Sequence, residues 1–236
     1  MKNLLKSIVL GLSLIVTILV VPSAHRLWLR SKVESQVVRI TTEAGNSGGT
    51  GVHVKLPSGK VAILTNSHVC SHVKDDQGIV WVSEDGERPV PKRVIEESNF
   101  TDLCLVQPLE HHSGLSLASN IYSGETVHAI GHPLLMPITM TSGEIIFEGE
   151  IQVFDHMGSD NCTKPKNKIV DSMFGPACVV DITADYMTVN ILPGNSGSPV
   201  VNGFGNIVGL VFAGDSDIHW GVMIKLADIN EFLKLY

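Results

Sequence analysis

The sequence predicts an all-β protein that opens on a hydrophobic segment and closes on a short helix. Three observations predict it. Short runs rich in β-branched residues recur along the chain, each bounded by Gly, Pro, Asn or Asp. These runs fall into two groups on either side of a strand-poor crossing from His111 to Gly124. Only the last segment, 226–236, carries apolar residues at the three-and-four spacing of an amphipathic helix: Leu226, Ile229, Phe232, Leu233 and Tyr236.

Taken in order, the chain begins Met1-Lys2-Asn3-Leu4-Leu5-Lys6 and continues with a nearly unbroken apolar run from Ile8 to Val21. A basic start before an apolar run is the pattern of an export signal. The run is shorter than the ~20 residues of a comfortable membrane span, though Leu4, Leu5 and Ala24 extend it. Ala24 suits a cleavage site, Pro22 does not, and Arg26, Arg30 and Lys32 follow at once. Residues 1–24 therefore read as a signal peptide or as an uncleaved membrane anchor. Either places the remainder outside the cytoplasm, secreted or anchored through the N-terminal segment, and residues 25–36 read as a linker.

The first group of strands, within 37–112, is expected at 36–42, 51–56, 61–65, 79–82, 92–95 and 103–107. The second, within 124–225, is expected at 126–130, 139–148, 178–182, 186–191, 199–201, 207–212 and 220–224. Within the second group, 152–170 mixes charges with Gly158 and Pro165 and reads as a surface loop. Cys162 and Cys178 close a short stretch there and make a plausible disulfide, one that would stabilise by about 3 kcal/mol through the chain entropy it removes. Cys70 and Cys104 lie in apolar runs and read as buried thiols. Four cysteines permit three pairings, and sequence does not choose among them.

The chemistry concentrates in three segments. Gly194-Asn195-Ser196-Gly197-Ser198-Pro199 follows Thr65-Asn66-Ser67-His68 and Thr101-Asp102-Leu103. A serine hydroxyl is a weak nucleophile unless a neutral imidazole takes its proton and a carboxylate holds that imidazole in the right tautomer. The glycines around Ser196 allow a tight turn that exposes the hydroxyl and lets the N–H groups of Gly194 and Ser196 converge on a developing oxyanion. Each residue also has an ordinary reading: Ser196 as a turn serine, His68 as one of ten histidines, Asp102 as a turn residue before a strand. Asp85, in Ser83-Glu84-Asp85-Gly86, is the competing carboxylate and reads better as a hairpin turn.

With Ser47-Gly48-Gly49-Thr50-Gly51 before the histidine, and Ile130-Gly131-His132-Pro133 running on to Thr141-Ser142-Gly143, five motifs stand in one order. Over about Val37 to Tyr236 the chain resembles the chymotrypsin-clan serine proteases, in their HtrA/Deg and glutamyl endopeptidase branches. The resemblance implies two six-stranded antiparallel β-barrels with the site in the cleft between them. It implies a serine endopeptidase that cleaves polypeptides through an acyl-enzyme, with His68 as base, Asp102 as orienter, Ser196 as nucleophile, and Gly194 and Ser196 forming the oxyanion hole. A protease-like domain that binds peptides or a partner without cutting is the alternative.

By the same resemblance, Asn190 would form the pocket floor, Gly214 and Gly221 its walls, and Val211, Phe212 and Ala213 the strand that pairs with substrate. Val211 stands where glutamyl endopeptidases carry a histidine, and Asn190 offers no full charge, so an uncharged residue is expected before the scissile bond. The segment after Ser196 is too short for the PDZ domain that many HtrA-type proteins carry. Asn195 precedes the nucleophile where trypsin-like zymogens carry an aspartate, so no freed N-terminal amine is expected to form the site.

Other chemistries find little support. No Cys-x-x-Cys, His-Glu-x-x-His or acidic calcium loop occurs, and His111-His112 lacks partner ligands, so neither metal nor cofactor is expected. The net charge of −7 argues against a nucleic-acid partner.

Overall fold

A computed structural model describes residues 23–98, 100–157, 167–172, 175–215 and 220–236. It is an all-β architecture of two barrels. In the first, β1 (Val37–Thr41), β2 (Gly48–Lys55), β3 (Val61–Thr65), β4 (Ile79–Ser83), β5 (Val90–Ser98) and β6 (Leu103–Val106) close in the order β1-β2-β3-β6-β5-β4. Alternation on β1 places Val38 and Ile40 in the interior with Ile63, Val80, Val82 and Val106. Closure leaves no exposed strand edge, which suits strands this rich in valine and isoleucine.

The second sheet holds β7 (Thr126–Gly131), β8 (Thr139–Met157), β9 (Asn167–Ser172), β10 (Gly175–Met187), β11 (Pro199–Val201), β12 (Ile207–Asp215) and β13 (Trp220–Lys225). Its order is β13-β12-β11-β7-β8-β10-β9, and β10 also pairs with β13 through Tyr186 and Val222. Six strands thus form a ring, with β9 attached outside it. Read from β7 and leaving out β9, the ring repeats the topology of the first barrel.

Two expectations change here. The stretch 152–170 is not all loop: β8 runs on to Met157 and β9 begins at Asn167, both pairing along β10. The two strands expected at 178–182 and 186–191 are one long β10 ending at Met187, because the ladder with β8 continues through Asp181, Thr183 and Asp185 without a turn. Cys178 is disulfide-bonded. Cys162 lies outside the described residues, as does most of the apolar N-terminal segment.

Among the described residues, three α-helices complete the fold. Residues 25–36, expected as a linker, are largely helix α1, helical over 23–34. Leu29 and Val33, four residues apart on one face, are buried in a cluster that includes residues of both barrels, among them Val52, Leu64, Val201 and Ile207. Helix α3 (Leu226–Leu233) adds Ile229, Phe232 and Leu233 to the same cluster. The crossing segment is stitched to both barrels, since Leu115 bridges to Val54 and Leu117 to Ile207.

Helix α2 (Ser67–Val73) corrects the reading of two cysteines. It follows β3 directly and lies over the start of β6, which brings the Cα atoms of Cys70 and Cys104 to 6.6 Å, joined by a disulfide. The apolar surroundings that suggested free thiols are instead the packing around the bridge, with Val69 and Val73 buried beside it. The only group of three potential metal ligands among the described residues is Cys70, Glu97 and Cys104, and both sulfurs are in the bridge.

One buried histidine lies in the first barrel. His53 on β2 is wholly buried; its Nδ1–H donates to the Gln36 carbonyl at 3.0 Å, and its Nε2 accepts the Leu109 N–H at 3.1 Å. Its ring stacks on His112 at 3.8 Å, and His112 in turn meets Glu84 at 2.7 Å. Burial first, and then the neighbouring His112, push the His53 pKa from 6.5 down to about 4.

Two outcomes are expected. A histidine held neutral in the fold and free to protonate when unfolded contributes stability that is complete above about pH 6.5 and is lost as pH falls toward 4. Denaturant melts between pH 7 and 4.5 should lose up to about 3 kcal/mol from this group, and His53→Gln should be less stable at pH 7 but decline less steeply. An equal slope in the variant would assign the acid sensitivity elsewhere. For the disulfide, the 34-residue separation predicts a loss of about 4 kcal/mol in the double variant Cys70→Ala/Cys104→Ala, read by urea melts beside the oxidised parent.

Candidate active site

The site is built where loops of the two barrels meet. Asp102 lies just before β6 with a φ of 51°, a left-handed conformation that aspartate tolerates better than most residues. This turn aims both ends of the residue at the chain around His68. The Asp102 carboxylate accepts the His68 backbone N–H at 2.8 Å and the His68 Nδ1–H at 2.8 Å. Its carbonyl accepts the Ser67 N–H at 3.1 Å and the Asn66 Nδ2–H at 3.2 Å. An ionised carboxylate only accepts, so Nδ1 carries the proton and Nε2 keeps its lone pair for an incoming proton. Asp102 is buried and His68 is exposed, the arrangement of an imidazole held from behind and open in front. The Cys70–Cys104 bridge lies two residues beyond each of them and fixes the same two segments covalently.

Ser196 comes from the second barrel, half-buried in the turn between Ile191 and β11. Gly194 and Gly197 have φ of 90° and 83°. A Cβ at Gly197 would sit 2.1 Å from the Thr50 carbonyl oxygen, and one at Gly194 would sit 2.6 Å from that of His132, so both glycines are required by close approach as well as by conformation. Among the described residues, the backbone N–H groups of Gly194 and Ser196 donate to no protein acceptor, whereas those of Asn195, Gly197 and Ser198 are all bonded within the fold. An unfilled pair of donors beside a serine is what an oxyanion would use.

Thr50, at the start of β2, couples the two halves. Its N–H donates to the Ser196 carbonyl at 2.8 Å and its hydroxyl donates to the Gly194 carbonyl at 2.8 Å. The same hydroxyl accepts the His132 N–H at 3.0 Å, and the Thr50 carbonyl accepts the Thr65 hydroxyl at 2.6 Å. Next to it, a Cβ at Gly49 would meet the Ser196 carbonyl oxygen and Val69 Cγ2, each at 2.8 Å. Ser196 and the residue after His68 thus flank one glycine, which brings Ser196 and His68 into one neighbourhood. The hydrogen bonds among these residues include His68 to Asp102 but none from Ser196 to His68, a contact that commonly tightens only when substrate is bound.

Asp85 is separate from this group. It sits in the β4–β5 turn, pairs with Arg39 at 3.0 Å and accepts the Ile138 N–H.

The substrate side differs in part from expectation. Val211 is buried, and its backbone is engaged by the nucleophile turn: Gly197 N–H donates to its carbonyl, and its own N–H donates to Ser198. Phe212 packs edge-on against the His68 ring, with centroids 5.9 Å apart. Ala213 and Gly214 pair with β13 on one side, Gly214 directly opposite Gly221, while β11 ends its pairing on the other side at Leu210. Among the described residues, the stretch 212–214 therefore has no strand paired on the edge beside the serine.

Asn190 is exposed, and the neighbouring Ile191 turns inward. A Cβ at Gly214 would lie 2.5 Å from Ile191 Cβ, and one at Gly221 would lie 2.8 Å from Ile191 Cγ1. The two glycines make room for Ile191 rather than for an open pocket. His219 lies outside the described residues.

Several participants carried no signal that sequence reasoning used. Thr50 sits in a motif noted for its glycines. Leu134 and Leu135, with φ of 53° and 57°, lie against the nucleophile turn, where the Leu134 N–H donates to the Pro193 carbonyl at 2.6 Å. Consecutive left-handed leucines betray themselves only in the backbone.

Comparison with known proteins follows this geometry. A family model for the trypsin-like peptidase domain matches residues 49–210. The serine protease Do-like HtrA of Bacillus subtilis is 30% identical over 173 residues, which are 72% of this chain and 33% of that protein. An HtrA-like serine protease of Staphylococcus aureus is 25% identical over 192 residues, 79% of this chain and 23% of that one. The chain thus spans a third or less of the length of these two relatives. Among solved structures, the active form of the Rv3671c protease of M. tuberculosis aligns with a TM-score of 0.65 at 20% identity, covering 86% of this chain and 81% of that one. The serine endoprotease of Yersinia pestis aligns with a TM-score of 0.59 at 20% identity, covering 88% and 65%. With a matched core running from Gly49, ahead of His68, to Leu210 in β12, the chain belongs to the trypsin-like peptidase family and is similar to HtrA-type proteases along that core.

Proposed function

We propose that the chain is a serine endopeptidase that hydrolyses polypeptides through an acyl-enzyme. The observation that carries this reading is the double hold of Asp102 on His68, at backbone and ring, beside a serine whose turn presents two unbonded N–H donors. His68 Nε2 takes the Ser196 proton as Oγ attacks the scissile carbonyl, and returns it to the leaving amine. Asp102 stabilises the imidazolium formed between those steps. Gly194 and Ser196 N–H groups receive the oxyanion. Water then repeats the sequence to release the acyl group.

The substrate is an extended polypeptide that adds to the free edge at Phe212–Gly214, where backbone hydrogen bonds give affinity without side-chain selection. Selection comes from the first pocket, which Ile191 fills between Gly214 and Gly221. Little volume and no full charge remain, so a small uncharged side chain precedes the cut, and burying a lysine, arginine or glutamate there is costly. The apolar run Ile8–Val21 and the disulfide at Cys70–Cys104 support a location outside the cytoplasm, secreted or held at the membrane by the N-terminal segment. The acidic balance of the chain supports protein rather than nucleic-acid substrates.

A fluorophosphonate probe should label the wild type and leave Ser196→Ala unlabelled, with the fold of the variant intact by circular dichroism. Asp102→Asn should lower turnover on the order of 10⁴, the size known for a serine protease whose imidazole is left in the wrong tautomer. Folded wild type that takes no label would point to a domain that binds without cutting. For specificity, a peptide library should return small uncharged residues before the cut, and Ile191→Ala should extend acceptance to larger apolar ones. A dominant Glu, Lys or Arg in the wild type would sink this assignment of the pocket.

A further inference from the structure

We infer that the face formed by α1 and the β11–β12 turn rests on an anionic bilayer. Helix α1 is amphipathic in an unusual sense, because both of its sides carry large apolar residues. Leu29 and Val33, 1% and 0% exposed, hold it in the core, while Leu27 and Trp28 on the outer side are 68% and 49% exposed. Phe204, at the tip of the β11–β12 turn, is 73% exposed. Lys32 joins these into one surface: its ammonium donates to the Phe204 carbonyl at 2.7 Å and stands 5.3 Å from the Trp28 ring. The seat is close, since a Cβ at Gly205 would lie 3.1 Å from Lys32 Cδ.

Charge and chain direction name the occupant. Arg26 and Lys32 leave α1 with positive charge, Arg30 being paired with Glu34 at 2.6 Å, on a chain of net charge −7. Tryptophan and other apolar side chains interleaved with cations are the composition of a surface seated at the lipid headgroups, and anionic lipids attract its cations. The apolar run Ile8–Val21 ends just before α1, which cannot swing away because Leu29 and Val33 are in the core. If that run stays in a bilayer, it delivers this face to the lipid surface. A second copy of the chain fits less well. A two-fold contact would set the same cations against each other, a repulsion that lipid phosphates remove.

The test uses the full chain reconstituted in vesicles of phosphatidylcholine and phosphatidylglycerol whose acyl chains are brominated near the headgroup, a short-range quencher of tryptophan. Phe204→Trp reports on the turn, which is remote in sequence from the apolar run. We expect F204W emission to fall further in brominated vesicles than that of the wild type, and W28F emission to fall less. F204W quenching no greater than that of the wild type would overturn the proposal, even if Trp28 alone were quenched, because a tether can reach lipid without the domain lying on it. F204W emission that ignores bromine but shifts with protein concentration would overturn it in favour of a second copy. Circular dichroism on both variants confirms that the comparison is between folded proteins, and neither substitution touches the site at Ser196.

Discussion

One threonine ties the two barrels together at the place where chemistry is proposed. Apolar packing between the barrels is strong but nondirectional, and by itself it would tolerate a shift of an ångström in how they sit. Thr50 removes that freedom. It reaches across with its N–H and hydroxyl to the carbonyls of Ser196 and Gly194, while its own carbonyl is held by Thr65 on the adjacent strand. All of these groups are buried or nearly so, where an unpaired polar atom is costly, so each bond specifies position more than it adds stability. The glycines on both sides follow from this contact: Gly49 and Gly197 are the residues whose Cβ atoms would push the two loops apart.

The first barrel holds its half of the site by the same redundancy. Asp102 is bonded at carboxylate and carbonyl, and a disulfide two residues further on joins the same pair of segments. The left-handed turn at Asp102 costs some conformational energy, and the surrounding bonds keep it in place. The two rings share one strand order, and among the described residues the disulfide beside the site is the one at Cys70–Cys104 in the first barrel. The second half relies on close backbone packing around Gly194 and on the strained leucines at 134 and 135.

Much of this was legible in the sequence, for physical reasons. The strands of the first barrel read clearly because their valines and isoleucines alternate or run in short buried stretches, and turns such as that at Gly86 announce themselves by composition. The segments around His68, Asp102 and Ser196 read clearly because their chemistry constrains neighbours as well as side chains. What was not legible depends on partners distant in sequence. The disulfide needs α2 to lie over β6, the role of Ile191 needs Gly214 and Gly221 to be opposite each other, and the burial of α1 needs a seam between two barrels. Long β10 was missed for a different reason: its polar residues suggested a break, but they pair along β8, which extends just as far.

Splitting the site between the barrels also governs when it can exist. A growing chain completes the barrel with His68 and Asp102 first, and Ser196 emerges only after β10. Even then the serine turn lacks part of its support, because Gly197 donates to Val211 and Ser198 accepts from it, and that residue lies on β12, which has yet to follow. His68, Asp102 and a formed serine turn therefore come together late in synthesis, when both rings are in hand. On the function proposed above, a half-made molecule has no assembled site with which to cut itself or its neighbours.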